Sequence, residues 1–188
     1  MEIIKRTSIF TTRELCYTAL GAALITVCAW ISIPAAVPFT LQTFAVFLIA
    51  GLLGLKCGCL SVVVYLLLGA VGLPVFAGFR GGLSALVGVT GGYLLGFVFS
   101  AGIVGLMTWR LGRSLPILLL SMVLGLLVCY AFGTAWFLVL YTKSQGAITL
   151  GAALSMCVIP FLPADGAKIL LAALLTMRLR KLLKLPCV

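Results

Sequence analysis

Residues 114–142 carry no charged side chain, and neither do residues 15–55, 57–79, 81–109 or 144–164. A helix that crosses a bilayer core of about 30 Å needs roughly 20 mostly apolar residues, and these uncharged tracts supply several such helices. Over the 188 residues, 64% are hydrophobic and 9% charged, against about 45–50% and about 25% in soluble domains. Such a chain cannot cover itself with polar surface in water. The expected fold class is therefore an all-α membrane protein, one integral membrane domain over 1–188. No polar stretch is long enough to build a second, soluble domain.

The tracts divide at glycines, prolines and charges into six expected transmembrane helices, about 14–33, 41–55, 58–72, 84–109, 115–141 and 147–178. The second and third are short, which predicts tilt or irregular backbone lining a cavity. The basic start with Lys5, Arg6 and Arg13 imitates a signal peptide, but no small-x-small cleavage site closes the apolar run that follows. It reads as a retained first helix.

The net charge is +10, with Glu2, Glu14 and Asp165 the three acids. In a soluble protein this balance would suggest nucleic acid, but no basic–aromatic patch accompanies it. Lys and Arg instead follow membrane orientation, collecting in cytoplasmic segments. With six spans, one side receives Lys5, Arg6, Arg13, Lys56, Arg110, Arg113, Arg178, Arg180, Lys181 and Lys184. The other side receives Arg80 and Lys143. Both termini are thus expected in the cytoplasm, in a multi-pass protein of the cell membrane surrounded by lipid.

Seven cysteines and no histidine are present. Cys16, Cys28, Cys129 and Cys157 sit in apolar runs, where cysteine acts as a small hydrophobe. Cys57 and Cys59 form a C-x-C, and Cys187 lies near the C-terminus. Without histidine or a C-x-x-C pair, no metal site is expected. Ala19 and Ala23, four residues apart in the first span, permit close helix approach in lipid. They suit either internal packing or docking of another membrane subunit.

Two expected outer loops are unusual: residues 34–43, and residues 78–82 leading to 88–93. Both are rich in proline or glycine, and both suit a lid over a cavity. The last span is interrupted at Pro160 and Pro163, and a helix restarting there places Asp165 in its first turn, where a carboxylate is favoured. Lys168 lies three residues on and shares its face. Intramembrane charges are costly and face a cavity or each other. The pair is thus either a mutual ion pair capping a broken helix or a polar ligand site of the kind transporters build at broken helices. A hydrolase is not supported: no histidine, no second intramembrane acid and no G-x-S-x-G motif stand in the chain. Nor is there a G-x-x-x-x-G-K-[ST] loop, so ATP-driven work would need a partner.

The segments Val37-Pro38-Phe39-Thr40-Leu41-Gln42-Thr43, 65–78 and Gly91-Gly92-Tyr93-Leu94-Leu95-Gly96-Phe97, with Pro163-x-Asp165-x-x-Lys168, resemble the BioY family over about residues 14–178. Members are biotin-specific S components of energy-coupling-factor (ECF) transporters. The resemblance implies a six-helix bundle that captures biotin in an outer-side pocket. It also implies import with a T component and two ATPase subunits, ATP entering only through those partners. No cofactor and no enzymatic activity are expected. Ala19 and Ala23 look like the docking motif for the T component. Phe79 and Arg80 depart from the smaller residues of many relatives.

Biotin offers a ureido ring, a thioether bicycle and a carboxylate. Asp165 would repel the carboxylate and so suits the ureido N–H groups, while Lys168 suits the ureido carbonyl. Arg80 suits the carboxylate, since guanidinium matches it bidentately. Thr40, Gln42 and Tyr93 could add hydrogen bonds or ring contacts, and Phe39, Phe76 and Phe79 could pack on the bicycle. The alternatives are an S component for another vitamin, such as thiamine or riboflavin, and a ligand-free membrane scaffold subunit.

Overall fold

The computed structural model describes residues 10–35, 37–146 and 148–183. Glu2, Lys5, Arg6, Ala36, Lys184 and Cys187 lie outside the described residues. Helix α1, Thr12–Trp30, starts at a capping box: the Glu14 amide donates to the Thr11 hydroxyl, and the Thr11 amide donates to the Glu14 carboxylate. Two donors that would otherwise be orphaned at the helix start are thereby satisfied.

The helical stretch α2, Gln42–Ala70, contains Gly54 at φ 76°, in the left-handed region that glycine enters without steric cost. The chain folds back there. A continuous helix would separate residues 42 and 65 by about 34 Å at 1.5 Å per residue, yet the Gln42 side-chain amide donates to the Tyr65 hydroxyl at 2.9 Å. The arms 42–53 and 55–70 touch closely: a Cβ on Gly58 would stand 2.9 Å from the Ala50 Cα. The expected division into 41–55 and 58–72 is thus realised as one helical hairpin. Ala45, Val46, Phe47, Leu48, Ile49 and Ala50 are all buried, so the first arm runs through the core.

Two expectations are corrected. The chain is not wholly α-helical, because β1 (Ser32–Ile33) pairs antiparallel with β2 (Phe39–Thr40), ending the first span at Trp30. The expected span 84–109 is broken into α3 (Leu83–Val87) and α4 (Gly91–Leu111). Gly88 is extended, and the Trp136 indole N–H on α5 (Leu115–Gln145) donates to its carbonyl at 3.0 Å. The expected last span 147–178 comprises α6 (Leu150–Cys157), a 3₁₀ turn (Ile159–Phe161) and α7 (Leu162–Leu183), with Asp165 in the first turn of α7. Its break falls at the two prolines, where the sequence placed it.

Among the described residues, four helical stretches are long and apolar enough to cross a membrane: Gln42–Ala70, Gly91–Leu111, Leu115–Ser144 and Leu150–Leu182. Buried hydroxyls are satisfied inside this apolar bundle. Thr26, Ser61 and Thr176 donate to carbonyls four residues back, and Ser100 donates across to the Gly125 carbonyl, joining α4 to α5. A Cβ on Gly133 would overlap the Tyr93 ring, so this seam depends on a missing side chain.

The two ends of the bundle differ in charge. At one end Lys56 pairs with Glu14 at 2.9 Å, joining the start of α1 to the Gly54 turn. The same end holds the C-terminus of α4 with Arg110, because Gly105 packs on Leu55. The opposite end gathers the C-terminus of α1, the β1–β2 ladder, the 71–90 segment and the start of α7.

Candidate functional site

At the end away from the Lys56–Glu14 pair, a cavity of about 740 Å³, its open mouth included, lies between the β1–β2 segment, the 76–90 segment and helices α4, α5 and α7. Thr40, Gln42, Arg80, Tyr93, Asp165 and Lys168 all line it. With Phe76, seven of the nine residues expected at the ligand thus converge on one space, and Phe39 stays outside its lining. Phe79 does not line it. Its ring stacks on Trp30 with centroids 5.2 Å apart, and its backbone has φ 56°, a left-handed conformation that costs a non-glycine residue roughly 1 kcal/mol. Ala19 and Ala23 stand on the exposed face of α1, remote from the cavity, while Gly21 on the inner face packs against Ser61.

The floor is a polar cluster in apolar surroundings. Asp165 and Lys168 are 2% and 7% exposed, so neither charge would persist there without a partner. Lys168 donates to Asp165 Oδ1 at 2.7 Å and to the Thr40 carbonyl at 2.7 Å. Its ammonium also lies 4.3 Å from the Phe39 ring centre, an attractive cation–π arrangement. Asp165 Oδ1 also accepts from the Thr43 hydroxyl at 3.1 Å, and Oδ2 accepts from the Tyr130 hydroxyl at 2.5 Å. The cluster is electrically neutral as a whole.

The local sequence explains these placements. The two prolines force the restart at Leu162, and i,i+3 spacing then sets Lys168 beside Asp165. The Thr40 hydroxyl accepts the Gln42 amide at 3.2 Å, which fixes the start of α2 and turns the Thr40 carbonyl to Lys168. The Tyr93 hydroxyl bonds Thr134 at 3.0 Å, placing its ring on the wall. Phe76, Phe97 and Phe161 add apolar lining, and Phe39 stacks on Phe161 at 5.5 Å.

Arg80 stands on the exposed rim, its Nε donating to the Ala77 carbonyl at 3.2 Å. A backbone bond from the Phe76 amide to the Arg80 carbonyl closes the tight 76–80 turn. The Trp30 indole N–H holds the same segment by donating to the Pro74 carbonyl at 2.8 Å. The arrangement has an apolar middle, a neutral hydrogen-bonding floor and a cationic rim. It matches an elongated ligand with a polar uncharged head, an apolar body and an anionic tail.

Tyr130, Thr43, Phe97, Cys129 and Cys157 also line the cavity, and none was singled out as a ligand contact from the sequence. Thr43 lies within the distinctive 37–43 segment, which was the available signal. Tyr130 lies inside the uncharged tract of α5 and carried none.

The BioY family model matches residues 4–185. The biotin transporter BioY of Thermotoga maritima is 47% identical over 171 residues, covering 90% of this chain and 97% of that protein. The probable biotin transporter BioY of Pyrococcus horikoshii is 40% identical, covering 89% and 96%. Among solved structures, the S-component for biotin from an ECF-type ABC transporter superposes with a TM-score of 0.81 at 29% identity, covering 92% of this chain and 95% of that one. By sequence along almost its entire length, and by backbone shape, the chain belongs to the BioY family.

Proposed function

We propose that this protein is the biotin-binding membrane subunit of a vitamin-uptake system. The single observation that carries the reading is the buried Asp165–Lys168 pair opening on a cavity with an apolar middle and Arg80 at its rim. The relatives named as biotin transporters support the same ligand. Asp165 takes a ureido N–H, Lys168 gives to the ureido carbonyl, and the bicycle lies against Phe76, Tyr93 and Phe97. The carboxylate meets Arg80, and Thr40 and Gln42 shape the wall rather than compete for the ligand.

The chain crosses the membrane six times with both termini in the cytoplasm, the arms 42–53 and 55–70 counting as two short crossings sheltered by the others. The cavity then faces outward. Ala19 and Ala23, exposed on α1, dock a T component, and two ATPase subunits supply the energy for import. The protein binds and delivers; it does not catalyse a reaction on biotin.

Competition for labelled biotin by a panel of free vitamins tests the assignment. Biotin alone should compete at low concentration, and displacement by thiamine or riboflavin at equal concentration would reassign the ligand. Arg80→Ala should weaken biotin about tenfold to a hundredfold, the range of a lost charge-assisted hydrogen bond. The methyl ester of biotin should bind the variant and the wild type alike. An unchanged preference for biotin over its ester in the variant would remove Arg80 from this role.

A further inference from the structure

The carboxylate of Asp165 is held from three elements, and only one of its partners follows from the i,i+3 spacing. Oδ1 accepts from Thr43 on α2 and from Lys168 on α7, while Oδ2 accepts from Tyr130 on α5. A carboxylate has about four lone-pair sites. Three are occupied, so one remains, and it lies on Oδ2 beside the Tyr130 hydroxyl. Both residues line the cavity, so the free site is open to a ligand.

We infer that Tyr130 is a positioning residue for ligand recognition: its hydroxyl fixes the Asp165 carboxylate so that Oδ2 presents a single acceptor site to one N–H of a cyclic urea. The inference rests on the reading of Asp165 as the acceptor for the ureido N–H. Thr43 and Lys168 both hold Oδ1, and because the carboxylate is planar and turns about one torsion, Tyr130 restrains the same group from its opposite oxygen. Of the three partners, Tyr130 is the one bonded to the ligand-facing oxygen itself, where it occupies one lone pair and leaves the other for the ligand. A urea offers its N–H in a fixed direction, so a carboxylate turned away from it loses the bond.

The test is equilibrium binding of biotin, and of a biotin analogue methylated on a ureido nitrogen, to purified protein. Wild type, Tyr130→Phe, Asp165→Asn and the double variant are compared, each with its melting temperature. Tyr130→Phe should weaken biotin about tenfold, about 1.4 kcal/mol. It should leave the already weaker N-methyl analogue within about twofold, and add no further loss in the Asp165→Asn background. Equal losses for biotin and analogue, or equal losses with and without Asp165→Asn, would mean that Tyr130 only packs the bundle, and would overturn the inference. Wild-type biotin affinity in Asp165→Asn would instead overturn the reading of Asp165 itself. Should Tyr130→Phe fail to fold, Tyr130→Gln and Tyr130→Leu replace it. Glutamine restores a donor and should retain more biotin affinity than leucine, and equality of the two would overturn the inference.

Discussion

Asp165→Asn is expected to lower biotin affinity by at least about a hundredfold, near 3 kcal/mol, as hydrogen bonds to a charged group are lost. The substitution keeps the size of the side chain and one carbonyl oxygen, which can still serve Thr43 and Lys168 on the Oδ1 side. The new amide nitrogen stands where Oδ2 accepted from Tyr130. The Tyr130 hydroxyl can rotate to accept from it, but toward the ureido N–H the amide sets donor against donor. Lys168 also loses its counter-charge while keeping the Thr40 carbonyl. Removal of one member of a buried pair costs about 3–5 kcal/mol where the other is left uncompensated, so some loss of thermal stability accompanies the loss of binding. Binding isotherms on folded, monodisperse protein separate the two effects. A variant that binds biotin as the wild type does would sink the assignment of Asp165.

Gly58→Leu is expected to be strongly damaging although it lies away from the cavity. Any Cβ at Gly58 meets the Ala50 Cα at 2.9 Å, and a backbone atom cannot swing aside as a side-chain tip can. The arms 42–53 and 55–70 must separate, and Ala50 itself is fully buried. Overpacking in a close-packed core costs about 1–3 kcal/mol, and more where backbone must move. The Gln42–Tyr65 hydrogen bond across the same hairpin would lengthen, and with it the cavity wall would shift. The expected outcome is a melting temperature well below wild type together with reduced biotin binding. A stable variant with wild-type affinity would show that the hairpin tolerates separation.

How much of this was legible in the sequence depends on range. The break before α7, the first-turn position of Asp165 and its pairing with Lys168 are local consequences of two prolines and helical spacing, and they stood as expected. The uncharged tracts announced the membrane helices. The break at Gly88 was half legible: residues 88–93 read as part of a glycine-rich outer loop, but glycines also occur inside continuous membrane helices, so the span read as unbroken from 84. It takes Trp136, 48 positions away, to hold the Gly88 carbonyl outside the helix. Tyr130 was invisible for the same reason: its partner Asp165 is 35 positions distant, on another element. Phe79 was expected at the cavity from its place beside Arg80. In a turn this tight, adjacent residues point apart, and its ring found Trp30 instead. The β1–β2 ladder is two residues long on each side, below what any alternating pattern can signal.

Every role assigned in the cavity depends on the orientation of the ligand, which a structure with biotin bound would settle. The ureido ring should lie at the floor, one N–H on Asp165 Oδ2 and the carbonyl on Lys168, with the carboxylate at Arg80. The reverse pose, with the carboxylate on Lys168 and the ureido ring at the rim, would contradict these roles.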